Sequence, residues 1–293
     1  MKDEKHAVLI SVYKDMEYLE LLVKKLSPDF DVYIHVDKSS REIKKEQIQY
    51  LEKQYHCVCL SNYVCCWAGF NVLLAYIDML RIAVQKEYKY YHIITGEDIP
   101  VKSAREIYNY FKDNDRIYIS LHEAITDNLK DRYKYWYPFV NKDPRARPWQ
   151  QLNAVSLTLQ KFFRVNRKRI GCEEKVYKGY VYGSLPHDAV RYVLDYVDKN
   201  PLFMRDLSMC YIMEELFFQT ILGNSPYRNR IAKNCLRYSV WEYKYDSIPG
   251  YLDEEDIRAI DAGDYIFARK VNKKFSEQLI QEMDRRYYEQ NIQ

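Results

Sequence analysis

The feature that most limits this chain is a change of hydrophobic period that recurs through its first 120 residues. Apolar runs of strand length, "HAVLISVY", "DVYIHVD", "CVCLS" and "YKYYHIIT", are separated by stretches whose apolar residues fall at helical spacing, "MEYLELLVKKL", "SREIKKEQIQYLEKQY" and "FNVLLAYIDMLRIAVQK". Strands that alternate with helices pair in parallel through right-handed crossovers, so the expected fold class is α/β with a mostly parallel twisted sheet flanked by helices. Ligands of such sheets gather just past the carboxyl ends of the strands. Two acidic positions stand there: Asp37 after the second strand, and the triplet Gly96-Glu97-Asp98 in "YYHIITGEDIP" after the fourth.

From about residue 124 the alternation blurs. "DRYKYWYPFVNKDPRARPW" is aromatic, basic and punctuated by proline, and reads as a loop. "QLNAVSLTLQKFFRVNRKRI" reads as a helix with a basic end, which is open to two explanations: a solvated helix end, or a rest on an anionic leaflet. "HDAVRYVLDYVDKN" and "MEELFFQTILGNS" read as helices, the second stopped by Gly223-Asn224. "CLRYSVWEYKY" and "YIFARKV" read as strands, with a short acidic-started helix "DEEDIRAIDAG" between them and a terminal helix "SEQLIQEMDRRYYEQ". No internal repeat or low-complexity linker interrupts the chain, so one continuous domain, residues 1–293, is expected.

Composition removes several function classes. With 47% hydrophobic and 30% charged residues the chain is a folded protein, and a net charge of +3 is too small to argue for nucleic acid. There are 30 tyrosines and only 8 glycines, and neither G-x-x-x-x-G-K-[ST] nor G-x-G-x-x-G occurs. Tyrosine offers a flat apolar face with a polar tip, which suits sugar rings as well as cores. The cysteines at 57, 59, 65 and 66 lack C-x-x-C spacing and read as reduced, mostly buried thiols rather than a zinc site. The charged start and the lack of any 18-residue apolar run lead us to expect a soluble, cytoplasmic protein.

Three further places hold residues that could do chemistry. Glu214-Glu215 opens an otherwise apolar helix, where carboxylates serve either as dipole partners or as a general base. Trp241 and Tyr243 lie two apart and form either a stacking platform or a core pair. Arg269-Lys270 sits inside an apolar strand, and cations in such places usually meet an anion.

Taken in order, "VYIHVDKSS", "CWAGFNVLLAYIDMLRIAV", "YYHIITGEDIPVKS", "GSLPHDAVRYVLDYV", "EELFFQTILGNSPY", "LRYSVWEY" and "YIFARKV" make the chain resemble the core-2/I-branching β-1,6-N-acetylglucosaminyltransferase family, which also contains peptide O-xylosyltransferases. The resemblance implies a GT-A-like fold, a UDP-sugar donor, inversion at the anomeric centre and no divalent metal or other cofactor. Glycine ahead of Glu97-Asp98 is then the family's own S-G-x-D-x-P pattern rather than a decayed metal site. It further implies Glu215 as the base, Lys270 and Arg269 on the leaving diphosphate, and Asp37 near the uracil. Trp241 and Tyr243 would contact the acceptor, and Glu123 and Arg132 fall more loosely on acceptor-side polar positions. Two departures stand out: Tyr180 and Tyr182 replace members of the family's G-S-x-W segment, and Ser247 stands where a second basic phosphate ligand is expected.

On this resemblance residues 1–123 form a nucleotide-binding half and residues 124–293 an acceptor and catalytic half. The expected reaction is transfer of N-acetylglucosamine from UDP-GlcNAc to a sugar hydroxyl. The expected setting is a bacterial enzyme of surface-polysaccharide synthesis at the inner face of the plasma membrane, its glycan acceptor lipid-linked. The rivals are transfer from UDP-xylose and a non-enzymatic module that stacks single-stranded RNA on its tyrosines.

Overall fold

The structure, a computed structural model, describes residues 5–123, 127–165 and 175–292. The first half follows the expected alternation: β1 (His6–Val12), α1 (Met16–Leu26), β2 (Asp31–Val36), α2 (Lys45–Tyr55), β3 (Val58–Leu60), α3 (Phe70–Ala83) and β4 (Tyr90–Thr95). Then come β5 (Asp98–Pro100), α4 (Ala104–Phe111), β6 (Tyr118–Ile119), α5 (Asp127–Lys134), α6 (Arg147–Phe162), β7 (Gly183–Pro186), α7 (His187–Lys199), α8 (Pro201–Leu207) and α9 (Phe217–Gly223). The chain closes with β8 (Arg237–Ser239), α10 (Ile257–Asp261), β9 (Phe267–Arg269) and α11 (Glu277–Ile292).

The strands form a six-stranded sheet, β3-β2-β1-β4-β7-β6, and a three-stranded sheet, β5-β9-β8. Pairing is parallel from β3 to β4 and between β8 and β9; β7 runs antiparallel to both β4 and β6, and β5 antiparallel to β9. The expectation of a mostly parallel sheet is therefore corrected to a mixed one. Parallel order holds where helices follow strands in regular alternation and ends where that alternation ends, because β7 comes back after a long excursion that contains no crossover unit.

Both faces of the large sheet are covered, which explains why its strands read as continuous apolar runs. Along β1, Ala7 and Leu9 join the core under α3, α7 and α9, while Val8, Ile10 and Val12 join the core under α1 and α4. A third cluster, with Ile99, Ala268, Leu279 and Met283, packs α11 on the small sheet.

Several elements differ from expectation. α4 carries a capping box, Ser103 with Glu106, which the sequence displays as S-x-x-E before an apolar run. "DRYK" belongs to α5 rather than to a loop. The strand expected over "CLRYSVWEYKY" stops at Ser239, so Trp241 and Tyr243 lie beyond it. Residues 166–170, the basic end expected for the helix starting at 151, lie outside the described residues.

The two sheets are joined by buried polar groups. Arg237, at the start of β8, donates to the Gly183 carbonyl at 2.6 Å and to Ser184 Oγ at 3.2 Å in β7. Ser184 Oγ also meets His92 Nδ1 at 2.7 Å, and His92 Nε2 lies 3.1 Å from His6 Nδ1. Burial pulls both imidazoles below their usual range, His6 to about 3, so the chain of rings is neutral. In the small sheet Asp98 pairs in register with Arg269, and Arg269 Nε lies 3.6 Å from Asp98 Oδ1. Asp98 also accepts from the Thr95 amide at 2.8 Å and from its hydroxyl. The guanidinium rests 3.8 Å from the Tyr182 ring centre. A buried charge left without its partner is strongly destabilising. Arg269→Met should therefore lower unfolding free energy by about 3–5 kcal/mol in urea titrations, whereas Lys270→Met, one residue on, should lower it far less.

Candidate active site

The register that aligns Val12 with Val36, and Ser11 with Thr95, brings the carboxyl ends of β2, β1 and β4 side by side. Past those ends lie Asp37, the pair Tyr13-Lys14, and Gly96-Glu97-Asp98. Gly96 donates to the Ser11 carbonyl at 3.0 Å, and a Cβ there would sit 2.5 Å from Val12 Cγ2. Close approach of two strand ends leaves no room for an aspartate at this position.

Glu97, in the turn between β4 and β5, and Asp98, the first residue of β5, meet different partners. Asp98 faces the interior and Arg269. The Glu97 carboxylate meets Lys14 Nζ at 2.9 Å, the Tyr251 hydroxyl at 3.0 Å and Lys270 Nζ at 3.4 Å. Lys14 also reaches the Tyr251 hydroxyl at 3.3 Å, and Lys270 lies 4.9 Å from the Tyr251 ring centre and 3.4 Å from Ser247 Oγ. Burial lowers Lys270, and the Lys14 charge adds to that against the pull of Glu97. Burial works on Lys14 as well, but Glu97 outweighs it and the amine ends up raised. Two ammonium groups against one carboxylate leave positive charge around Glu97, where an anion is stabilised.

Arg269, expected beside Lys270 on the diphosphate, is turned inward against Asp98 and Tyr182 and is buried. Lys14 takes the second cationic place. It carries no sequence signal beyond standing just past the first strand. Asp37 is held by its own turn: its Oδ1 accepts from the Ser39 amide and hydroxyl at 2.8 and 2.9 Å and from the Cys65 amide at 3.2 Å.

The acidic pair lies in a separate 3-10 turn, Met213–Glu215, ahead of α9 rather than in its first turn. The Glu215 carbonyl accepts from the Gly179 amide at 2.8 Å. A Cβ on Gly179 would lie 1.9 Å from the Ser120 carbonyl oxygen, so only glycine permits this packing. Arg132 on α5 donates to Glu215 Oε2 at 2.9 Å, and Lys178 Nζ lies 3.5 Å from the same oxygen. Glu214 differs. Its Oε2 is shut off from solvent without a hydrogen-bond partner among the described residues, although the residue as a whole is only half-buried. Burial, with the Glu215 charge adding to it, pushes its carboxyl up to about 7.

Next to the turn is an aromatic platform. Tyr180 and Trp241 stack with centroids 4.7 Å apart and planes 10° from parallel, and Trp241 is 47% exposed. Burial raises the Tyr180 phenol, and the Glu215 charge raises it further, which puts the platform within electrostatic reach of Glu215. Tyr180 is thus the stacking partner that sequence pairing assigned to Tyr243. Tyr243 is instead 69% exposed and donates to Asp246 at 2.6 Å. Glu123 belongs to a separate surface cluster with Lys175 at 3.0 Å and Arg228. Tyr182 links the two ends of the region, with Arg269 against its ring and the Glu214 charge acting on its phenol.

Among the described residues no group of three or more His, Cys, Asp or Glu is placed to hold a metal ion. Cys57 and Cys210 are buried, the four other described cysteines are half-buried, and burial, aided by Asp37, pushes the Cys65 thiol up to about 12. No helix among the described residues is long and apolar enough to cross a membrane.

The Glu214 environment has a measurable consequence. A carboxyl whose folded value lies near 7, against an ordinary 4.5, holds its proton more tightly in the folded state. Its destabilising effect is absent below pH 4.5, grows between pH 4.5 and 7, and is complete above 7. Glu214→Gln should thus be more stable than wild type at pH 8 by about 1–3 kcal/mol, with the gap closing toward pH 4.5, in paired denaturant titrations.

The sequence model of the Core-2/I-Branching enzyme family matches residues 7–261. Human "Xylosyltransferase 1" is 22% identical over 282 residues, covering 89% of this chain and 27% of that protein. The human "Probable beta-1,3-galactosyl-O-glycosyl-glycoprotein beta-1,6-N-acetylglucosaminyltransferase 7" is 28% identical over 111 residues, covering 36% of this chain and 26% of that protein. The chain spans about a quarter of the length of these curated relatives. Among solved structures, "PaToxG Glycosyltransferase" aligns over 75% of this chain and 69% of that one at 13% identity, with a TM-score of 0.32, too low to establish a shared fold. Since the family match runs from the first strand through the acidic turn and beyond Trp241, this chain belongs to the Core-2/I-Branching enzyme family.

Proposed function

We propose that this chain is an inverting glycosyltransferase that uses a UDP-sugar without a divalent metal and acts as a single domain. The observation that carries the reading is the cluster at the strand ends, where Lys14 and Lys270 converge on Glu97 in the place where other sugar-nucleotide enzymes put paired carboxylates and a cation. In this reading Glu215 removes the proton of the acceptor hydroxyl. The oxygen bonds to the anomeric carbon from the opposite side as the bond from that carbon to the β-phosphate oxygen breaks, and UDP leaves with the electron pair. Lys270 and Lys14 meet the charge that develops on the leaving diphosphate. Arg132 and Lys178 both engage Oε2 of Glu215, which leaves Oε1 to face the hydroxyl. Trp241 and Tyr180 offer the flat surface on which an acceptor sugar stacks. Asp37, past β2, lies on the donor side beside the nucleoside.

The breadth of the family matches favours xylose over N-acetylglucosamine as the transferred sugar. The named xylosyltransferase aligns over 89% of this chain, the named N-acetylglucosaminyltransferase over 36%. UDP release measured with UDP-xylose and UDP-GlcNAc decides the donor, and release from neither would overturn the transferase reading.

Glu215→Gln keeps the shape of the side chain and removes its proton affinity, so turnover should fall by roughly 10²–10⁴-fold. Glu214→Gln should cost much less; the reverse order would move the base to the buried neighbour. Activity should persist in excess EDTA without added Mn²⁺ or Mg²⁺. Lys270→Ala and Lys14→Ala should each lower turnover by roughly 10²-fold, more than they raise the acceptor KM. Uridine affinity should stay unchanged in both, because uridine lacks the diphosphate. A protein that is silent in EDTA, recovers with Mn²⁺ and tolerates both alanines would return the strand-end triplet to a metal site.

A further inference from the structure

Helix α6 has two apolar sides, and the fold uses one of them. Leu157 packs against the main core, Gln160 exchanges hydrogen bonds with the Trp136 backbone at 2.8 Å, and Trp149 tilts against Phe139. On another side Leu152, Val155, Leu159 and Phe162 follow one another at three- and four-residue spacing, with Phe163 beside them. All five are exposed, Phe162 at 77% and Phe163 at 69%. Single exposed apolar residues need no explanation, but a continuous stripe that ends in two phenylalanines marks an interaction surface.

The charge around the stripe indicates what it meets. From Pro144 to Val165, the end of the described residues here, the sequence contains no Asp or Glu, although the chain carries 42, and it holds four Lys and Arg, of which Arg145 pairs with Asp143 and Lys161 with Asp131. Arg147 and Arg164, both exposed, stand at the two ends of α6. An amphipathic helix with bulky apolar residues on one side, basic residues around it and no acid fits an anionic lipid surface, with its apolar side at the boundary of headgroups and acyl chains. We propose that α6 docks this protein on an anionic phospholipid leaflet through Leu152, Val155, Leu159, Phe162 and Phe163, with Arg147 and Arg164 on headgroup phosphates. The surface is one helix away from the acidic turn: Lys161 on α6 pairs with Asp131 on α5 at 2.6 Å, and the next residue, Arg132, holds Glu215. Docking would therefore set Glu215 close to an acceptor carried on lipid, a consequence that rests on the transferase reading, whereas docking itself does not.

Co-sedimentation of the full chain with phosphatidylcholine vesicles, with and without phosphatidylglycerol, tests the proposal. The protein should bind the anionic vesicles and release at high salt. The double variant Phe162→Ser/Phe163→Ser should bind at least about tenfold more weakly, with Tm and UDP release from the donor unchanged because neither ring packs in the core. Arg147→Gln/Arg164→Gln should remove the preference for phosphatidylglycerol. Absence of binding to either vesicle, or binding indifferent to the phenylalanine variant, would overturn the proposal. So would light scattering that shows a dimer dissolved by the phenylalanine variant, which would assign the stripe to a second copy. Failure of the transferase reading would look different: vesicle binding intact, with no UDP released.

Discussion

The buried pairing of Asp98 with Arg269 is the constraint on which the rest of the site depends. It locks β5 to β9 at the place where β4 ends, while Thr95 holds the same carboxylate from the other side. The residues just outside the paired strands, Glu97 before β5 and Lys270 after β9, then come together: Lys270 Nζ lies 3.4 Å from the Glu97 carboxylate. The Val271 amide donating to the Glu97 carbonyl at 2.9 Å extends this pairing past the strand end. Burial holds the Asp98 carboxyl above its usual range in spite of the nearby guanidinium, whereas at Arg269 burial is outweighed by Tyr182 and Asp98, which hold the guanidinium above its own range. The ladder pairing of the two residues fixes the register.

With the register fixed, three segments remote in sequence supply one cationic cluster. Lys14 follows β1, Glu97 follows β4 and Lys270 follows β9, and Tyr251 joins them through a hydroxyl and a ring face. Gly96 is part of the same design, because the approach of β4 to Val12 that brings Lys14 near Glu97 excludes any side chain at that position. Crowding at the strand end and the convergence of two ammonium groups on Glu97 are thus two results of one packing decision.

The neighbouring glutamates show how environment separates identical groups. Glu215 faces Arg132 and Lys178 at the half-exposed edge of the turn, while Glu214 has a carboxylate oxygen sealed from water. One is held by partners and the other raised by desolvation, and their roles in the proposed reaction divide accordingly. A similar division runs along α6, whose packed side anchors α5 and Arg132 and whose open side meets the surroundings.

Much of this was legible in the amino-acid order. The β1 to β4 alternation is a strong periodic signal that local hydrophobic pattern alone specifies, and the ordered motifs point to the family by themselves. Asp37 and Glu97 stand past strand ends by the same pattern, whereas Lys270 reads as lying inside a strand that ends at Arg269. What pattern could not settle was contact between segments far apart in the chain. The antiparallel return of β7 spans four residues, too few to display a period. Arg269 and Lys270 are adjacent cations in sequence, and only Asp98 across the ladder decides which is structural and which faces the site. Trp241 reads in sequence as the partner of Tyr243 two residues on, yet it stacks on Tyr180, 61 residues earlier, because the strand stops at Ser239 and the chain bends. Lys14 became part of the site only when β1 and β4 came into register. Local periodicity determined the elements; the choice of which charges face each other belonged to tertiary packing, because electrostatic and stacking partners are selected by distance in space rather than along the chain.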